Sequence, residues 1–128
     1  MSYVLENNKR VVREFLDLVF NQHAVEEGIA RCMGSHYRQH NPMVGDGVQA
    51  FAAFFHAFCE AHPRSSLQIK RMIAEDDLVA VHLHWTSDID VIGDAVMDFF
   101  RLEDGRIVEH WDVIQPVPSV STNNNSMF

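Results

Sequence analysis

Ionisable residues recur at alternate positions within apolar segments of the second half of the chain. They are His82 and His84 in 78–86, Asp98 in 95–102, and His110 and Asp112 in 106–115. Since successive side chains of a strand point to opposite faces, each pair shares a face of its strand. Desolvation raises the pKa of a carboxyl group among apolar side chains, and neighbouring imidazoles lower it again, which suits acid/base chemistry near neutral pH. We therefore regard His84, Asp98, His110 and Asp112 as candidate catalytic residues of one pocket.

Whether these side chains meet depends on strand register. The sequence Glu103-Asp104-Gly105 indicates a hairpin, with Gly105 free to take a positive φ. A three-residue loop with a glycine bulge would pair Asp98 with His110, whereas a two-residue loop would place Asp98 opposite Trp111. We favour the bulged loop, because it keeps the ionisable groups on one face. A symmetric hairpin before it would pair His84 with Asp98.

Helical periodicity in the first half gives way to strand periodicity in the second. Apolar spacing predicts helices over 7–20, 25–33 (closing at Gly34) and 48–61, with an extended segment at 37–42. Strands are predicted over 67–74, 78–86, 95–102 and 106–115. Helices followed by antiparallel strands indicate an α+β fold, with the helices on one face of the sheet.

Composition limits the class of protein. The 128 residues, 47% hydrophobic and 22% charged, predict one globular domain over 1–118 and a disordered tail over 119–128. A net charge of −8 argues against nucleic acid or an anionic membrane as partner, and no apolar run is long enough to span a membrane. The segment Met1–Asn8 does not resemble a secretory signal, and Cys32 and Cys59 show no disulfide pattern. We expect a cytoplasmic protein.

The face of the sheet opposite the helices is also predicted to be apolar. Alternation assigns to it Val79, Val81, Leu83, Trp85, Met97, Phe99, Ile107, Trp111 and Val113. A monomer would leave this surface in water, so we expect a homodimer formed sheet to sheet.

Two segments carry a resemblance to a known family. Tyr37-Arg38-Gln39-His40-Asn41-Pro42 and the run from Met97 to Asp112 resemble the SnoaL-like polyketide cyclase group of the nuclear transport factor 2-like superfamily, which includes ketosteroid isomerase. The resemblance implies a cone: a curved, mixed, mostly antiparallel sheet wrapped by three N-terminal helices, usually dimeric. It further implies an intramolecular aldol condensation without metal or cofactor.

Site residues follow from the same resemblance. Asp98 matches the general acid/base of the cyclases, and His84, fourteen residues upstream, matches its helper histidine. His110, Trp111 and Asp112 match the His-Trp-Asp segment of the group, and His40 and Asn41 are placed at the pocket mouth. The expected ligand contacts are Tyr37, His40, Asn41, Phe55, Phe100 and Trp111.

Three functions remain open from the sequence. The first is a cofactor-independent lyase or isomerase that acts on a small apolar or cyclic molecule next to a carbonyl, with Asp98 removing a proton. The second is a non-catalytic small-molecule-binding module. The third is a metal site, because His82-Leu83-His84 resembles half of a cupin motif to which His110 could add an imidazole, although Asp76 stands where that motif has glycine.

Overall fold

The computed structural model describes residues 2–128 and has the predicted α+β architecture. Its helices are α1 (Ser2–Leu16), continued by a π-helical turn (Asp17–Asn21), then α2 (Val25–Cys32) and α3 (Val48–Ala61). Its strands are β1 (Met33–Gln39), β2 (Ser66–Glu75), β3 (Leu78–Thr86), β4 (Asp94–Glu103) and β5 (Arg106–Pro116). None of the helices within residues 2–128 has the length and apolar character needed to cross a membrane.

Helix α2 ends earlier than predicted. Met33, at its C-cap, already has extended backbone angles (φ −94°, ψ 149°), so Gly34 lies in β1 rather than closing the helix. The chain thus turns directly from helix into strand. This early exit makes the extended segment before Pro42 a full strand of the sheet.

The five strands form one curved, open sheet in the order β1-β5-β4-β3-β2. The pairing of β1 with β5 is parallel and the other three pairings are antiparallel, as expected for a mixed, mostly antiparallel sheet. The site strands β1, β5 and β4 are therefore neighbours, although β1 is far from the other two in sequence.

The β4–β5 register differs from both predicted alternatives. Asp104 and Gly105 form a two-residue turn, both at positive φ (51° and 74°), and Glu103 pairs with Arg106. The pairing then shifts by one residue, from Leu102↔Ile107 to Arg101↔Glu109, which leaves an extra residue in β5. The two-residue turn alone would have moved the β5 side chains to the opposite face of the sheet, and the extra residue of the bulge returns them to the predicted face. Asp98 consequently lies opposite Asp112, not His110 or Trp111.

The helices cover the face of the sheet that carries Asp98, here called the inner face. Val12, Phe15 and Leu16 of α1 are at most 1% exposed, and helical spacing places them on one side of the helix. They belong to the same buried core as Val79 and Val81 of β3. Burial of large apolar side chains of this kind is the main stabilising contribution to such a fold.

The assignment of four core residues to the outer face was wrong. Val79, Val81, Leu83 and Ile107 are at most 2% exposed and belong to the buried core. For β3 the reason is its pairing with β4, in which Val81 lies opposite Asp98 and so shares its face. For Ile107 the reason is the bulge that follows it in β5. Of the predicted set, Met97, Phe99, Trp111 and Val113 do alternate with inner-face residues.

The segment 119–128 contains no helix or strand. The Phe128 ring nevertheless stacks on His84 and His82 of β3, with ring centroids 4.4 and 5.7 Å apart. Arg71 donates a hydrogen bond to the Phe128 carbonyl at 3.3 Å. The predicted disorder of this segment stays a prediction.

Candidate functional site

A cavity opens between the helices and the inner face of the sheet. Its volume is about 210 Å³. Its walls are mostly apolar, and their aromatic members include Phe15, Phe20, Phe51, Phe54, Phe55, Trp85 and Phe100. The polar lining residues come mainly from β1, β4, β5 and the turn after β1, and are Tyr37, Gln39, Asn41, Asp98, His110 and Asp112. A largely apolar cavity with a few convergent polar groups is typical of a small-molecule site.

The central polar contact joins β4 to β5. His110 Nε2 lies 2.8 Å from Asp98 Oδ1, and both side chains are about nine-tenths buried. Burial raises the pKa of Asp98, while the hydrogen bond and charge of His110 act to lower it. Asp98 is therefore a carboxyl group held in apolar surroundings with one polar partner, as the sequence predicted.

Gln39 fixes the tautomer of His110. The Asn41 backbone N–H faces one atom of the Gln39 amide at 3.0 Å, so that atom must be the oxygen Oε1. The same Oε1 lies 2.7 Å from His110 Nδ1, which therefore carries a hydrogen and donates it. A proton must also lie between His110 Nε2 and Asp98 Oδ1, because two lone pairs at 2.8 Å would repel. The pair thus holds one shared proton.

The sequence interpretation missed Gln39. The signal was present, because Tyr37, Gln39 and Asn41 alternate in the extended segment and so share a face. The resemblance drew attention to His40 instead, which the same alternation places on the other side.

Tyr37 supplies a second polar group beside this pair. Its hydroxyl oxygen accepts a hydrogen bond from Gln39 Nε2 at 2.8 Å. Within residues 2–128 no hydrogen bond uses the hydroxyl hydrogen itself, which is free to donate to a ligand. Burial and the nearby Asp98 charge raise the pKa of Tyr37, so the hydroxyl stays protonated.

Asn41 holds Asp112 in place. Its Nδ2 donates to both carboxylate oxygens, at 2.9 and 3.0 Å. His110 Nε2 is 3.7 Å from Asp112 Oδ2, and so also lies near this second carboxylate. One imidazole is thus shared by two carboxyl groups at the same end of the cavity.

His84 does not reach this site, and its expected pairing with Asp98 was wrong. It lies opposite Ala95, with its side chain on the outer face. There His84 Nε2 is 2.6 Å from the Ile92 carbonyl oxygen. The β3–β4 connection is not symmetric about His84 and Asp98, so Val81 takes the position opposite Asp98.

Two predicted ligand contacts also lie outside the cavity lining. His40 stacks on Trp111, with ring centroids 4.9 Å apart and planes 5° from parallel. His40 Nε2 is 2.7 Å from Glu109 Oε2, and this hydrogen bond lowers the pKa of Glu109. Tyr37, Asn41, Phe55 and Phe100 do line the cavity. Trp85 lines it too, although alternation had assigned it to the outer face.

The histidines named for a metal site are on opposite faces. His82 and His84 point outward, whereas His110 points into the cavity, so these three imidazoles cannot share an ion. Asp98, His110 and Asp112 offer donor atoms within 4.8 Å of one another and could hold a cation. A metal ion there would have to displace the proton that Asp98 and His110 share.

Comparison with known proteins identifies the family. The family model described as SnoaL-like domain matches residues 12–110. No curated protein sequence matches the chain.

Solved structures share the fold at low sequence identity. Two are named as putative enzymes: a ketosteroid isomerase from Kribbella flavida DSM 17836 (20% identity, TM-score 0.73) and a polyketide cyclase from Acidithiobacillus ferrooxidans (17%, 0.71). The first alignment covers 93% of this chain and 85% of the other, and the second covers 84% and 87%. TsrD from Streptomyces laurentii is 19% identical over 85% of this chain and 88% of its own, with a TM-score of 0.68. With its curved open sheet and three helices, the chain belongs to the SnoaL-like domain family.

Proposed function

We propose that the cavity binds a largely apolar carbonyl compound and that Asp98 transfers a proton at the carbon next to the carbonyl. The observation that carries this proposal is the Asp98–His110 pair, which is buried and faces an aromatic cavity. A carboxylate in such surroundings is a stronger base than one in water. The reaction class is a lyase or isomerase that requires no cofactor, as in the SnoaL-like cyclases that this chain resembles.

The proposed step is a proton transfer from carbon to Asp98. The Asp98 carboxylate takes the α-proton, the C–H electron pair forms the enolate, and the negative charge moves to the carbonyl oxygen. An isomerase returns the proton at another carbon. A cyclase instead lets the enolate carbon attack a second carbonyl of the same ligand, and Asp98 gives its proton to the new alkoxide.

The other polar groups of the cavity assist this proton transfer. His110, fixed by Gln39, donates its Nε2 hydrogen to Asp98 Oδ1 and holds that carboxylate in place. The free hydroxyl hydrogen of Tyr37 donates to the enolate oxygen. This is the part that the sequence had given to His84. Asn41 and Asp112 complete the polar wall.

Exchange of α-protons tests this function directly. 1-Tetralone in D₂O, followed by NMR, should lose its α-proton signal faster with the protein than without it. Asp98→Asn should reduce the catalysed rate at least 100-fold, since general-base catalysis contributes 10²–10⁴-fold. Asp90→Asn, which changes an exposed carboxylate away from the cavity, should retain the full rate.

The same experiment separates catalysis from simple binding. Ketone that binds in the cavity without exchanging its α-protons would identify a non-catalytic binding module. Exchange that persists in Asp98→Asn would show that another group is the base.

We also propose a cytoplasmic location. Both cysteines are unpaired, with Cys32 buried and Cys59 partly buried. Free thiols are typical of reducing compartments.

A further inference from the structure

We propose that the ligand of this cavity carries a positive charge, as an apolar carbonyl compound with a protonated amine held by Asp112. This inference rests on the proposed function, because it names the ligand class of the same cavity. It goes further by assigning Asp112 as the residue that selects the ligand by charge.

The described side chains that line the cavity carry one more negative charge than positive charge. Among residues 2–128, those that line it include two carboxyl groups, Asp98 and Asp112, and one histidine, but no lysine or arginine. Asp98 and His110 share one proton, so together they are neutral wherever that proton lies. The charge of Asp112 is therefore left without a counter-charge in the wall.

Asp112 has hydrogen bonds but no cation of its own. Both of its oxygens accept from the uncharged Asn41 amide. His110, 3.7 Å away, is committed to Asp98 at 2.8 Å. The Asp112 side chain is only 11% exposed, so water screens its charge weakly. Buried charges in proteins are normally paired, and a ligand ammonium would provide the pair.

The rest of the molecule favours a cation in the same place. Six phenylalanines and Trp85 line the cavity, and aromatic rings attract a cation placed over their faces within about 6 Å. The net charge of −8 makes the surrounding potential negative, and a cleft of one charge sign focuses that potential. An anionic ligand would meet repulsion from Asp112, and the described wall residues include no lysine or arginine to bind it.

The register fixes where the amine lies relative to the reacting carbon. Asp98 and Asp112 are directly opposite each other on β4 and β5, so their Cβ atoms are about 5 Å apart. An ammonium bound to Asp112 is then one or two bonds from a carbon that Asp98 can reach. The chemical class is an α- or β-amino ketone with an apolar or aromatic body.

Three probes of equal size and different charge test the inference on the unaltered protein. They are 2-naphthylmethylammonium, 2-naphthylmethanol and 2-naphthoate, measured by calorimetry at pH 7. We expect the ammonium to bind at least ten-fold more tightly than the alcohol, and the carboxylate more weakly than either. An alcohol that binds as well as the ammonium would overturn the inference, as would failure of all three to bind at millimolar concentration.

A pair of matched variants locates the effect. Asp112→Asn keeps the shape and one hydrogen bond to Asn41 but removes the charge, and should weaken ammonium binding about ten-fold without changing alcohol binding. Asp104→Asn removes one charge from the exposed β4–β5 turn, where asparagine tolerates the positive φ, and should change neither. Equal losses in both variants would mean that only the overall charge matters, which contradicts a specific role for Asp112.

The outcomes also distinguish this inference from the proposed function. Catalysed exchange of neutral 1-tetralone without any preference for the ammonium would overturn the ligand class alone. Tight ammonium binding without exchange of any ketone would overturn the proton transfer alone.

Discussion

Burial of Asp98 makes the stability of the protein depend on pH. Its pKa is higher in the folded than in the unfolded state, because burial disfavours the charged form. The folded state therefore holds this proton more strongly, and the resulting stability is present below the unfolded pKa of about 4. It is lost as the pH rises through the folded pKa.

The first prediction follows from this direction of the pH dependence of stability. Asp98→Asn cannot ionise, so its free energy of unfolding should exceed that of the parent by about 1 kcal/mol at pH 7, a typical gain when a site residue is relaxed. At pH 4 the difference should be smaller. Urea denaturation at the two pH values measures both. The quantity to compare is the free energy of unfolding of the variant minus that of the parent. A smaller difference at pH 7 than at pH 4 would contradict this assignment of Asp98.

Gln39 offers a second prediction, as a positioning residue. Gln39→Leu keeps the approximate size of the side chain but removes the acceptor that holds a proton on His110 Nδ1. The other tautomer of His110 then becomes accessible, and Asp98 is less well oriented. We expect the rate of ketone exchange to fall 10- to 100-fold with little change in ketone affinity. A change in affinity alone would indicate a lining role instead.

Gln39 also shows what residue patterns can and cannot predict. Alternation placed His110 and Asp112 on one face of their strand, because a strand has a two-residue period, but bringing Asp98 to the same face also required the register between the two strands. It could not show that β1 lies beside β5, since that parallel pairing joins segments about 70 residues apart. The partner of His110 was therefore outside the reach of local pattern.

At the scale of elements, the strands were predictable and their registers were not. The turn at Asp104-Gly105 and the extra residue in β5 each reverse the face of the following residues, and the two reversals cancel. The favoured prediction from the sequence included neither the two-residue turn nor the extra residue in β5. It therefore placed Asp98 and His110 on the same face correctly, although it paired Asp98 with the wrong residue of β5. In β3 there was no such compensation, so His84 and Trp85 were assigned to the wrong sides.

The connection between β3 and β4 supplies the third prediction. Gly93 has φ +84°, and a Cβ there would lie 2.4 Å from the Trp85 carbonyl oxygen. Gly47 also has a positive φ, +92°, but its Cβ would meet nothing within 4 Å. Gly93→Ala should therefore cost about 2–3 kcal/mol and Gly47→Ala about 1 kcal/mol, the latter from backbone strain alone. Urea denaturation of both variants compares them, and equal losses would contradict the close approach.

At the scale of the whole molecule, the outer face of the sheet remains partly apolar. Met97 and Phe99 of β4 are 37% and 43% exposed, and Val113 of β5 is 73% exposed. Met97 pairs with Val113 and Phe99 with Trp111, so these side chains form one continuous patch. Phe128 covers His82 and His84 on the neighbouring β3. The uncovered part of the face is thus centred on β4 and β5.

We expect two copies to associate through this β4–β5 patch. Light scattering after size exclusion should give twice the 14.7 kDa chain mass at tens of micromolar protein. Because each copy carries a net charge of −8, the dimer fraction should rise between 50 and 300 mM NaCl as repulsion is screened. Phe99→Lys should yield monomers, since it places a charge at the centre of the patch. Ile89→Lys, in the β3–β4 connection, makes the same kind of change at a residue 68% exposed and should leave the dimer intact. A mass of one chain at every protein and NaCl concentration would show that this patch faces water. A different partner would then have to cover the apolar surface.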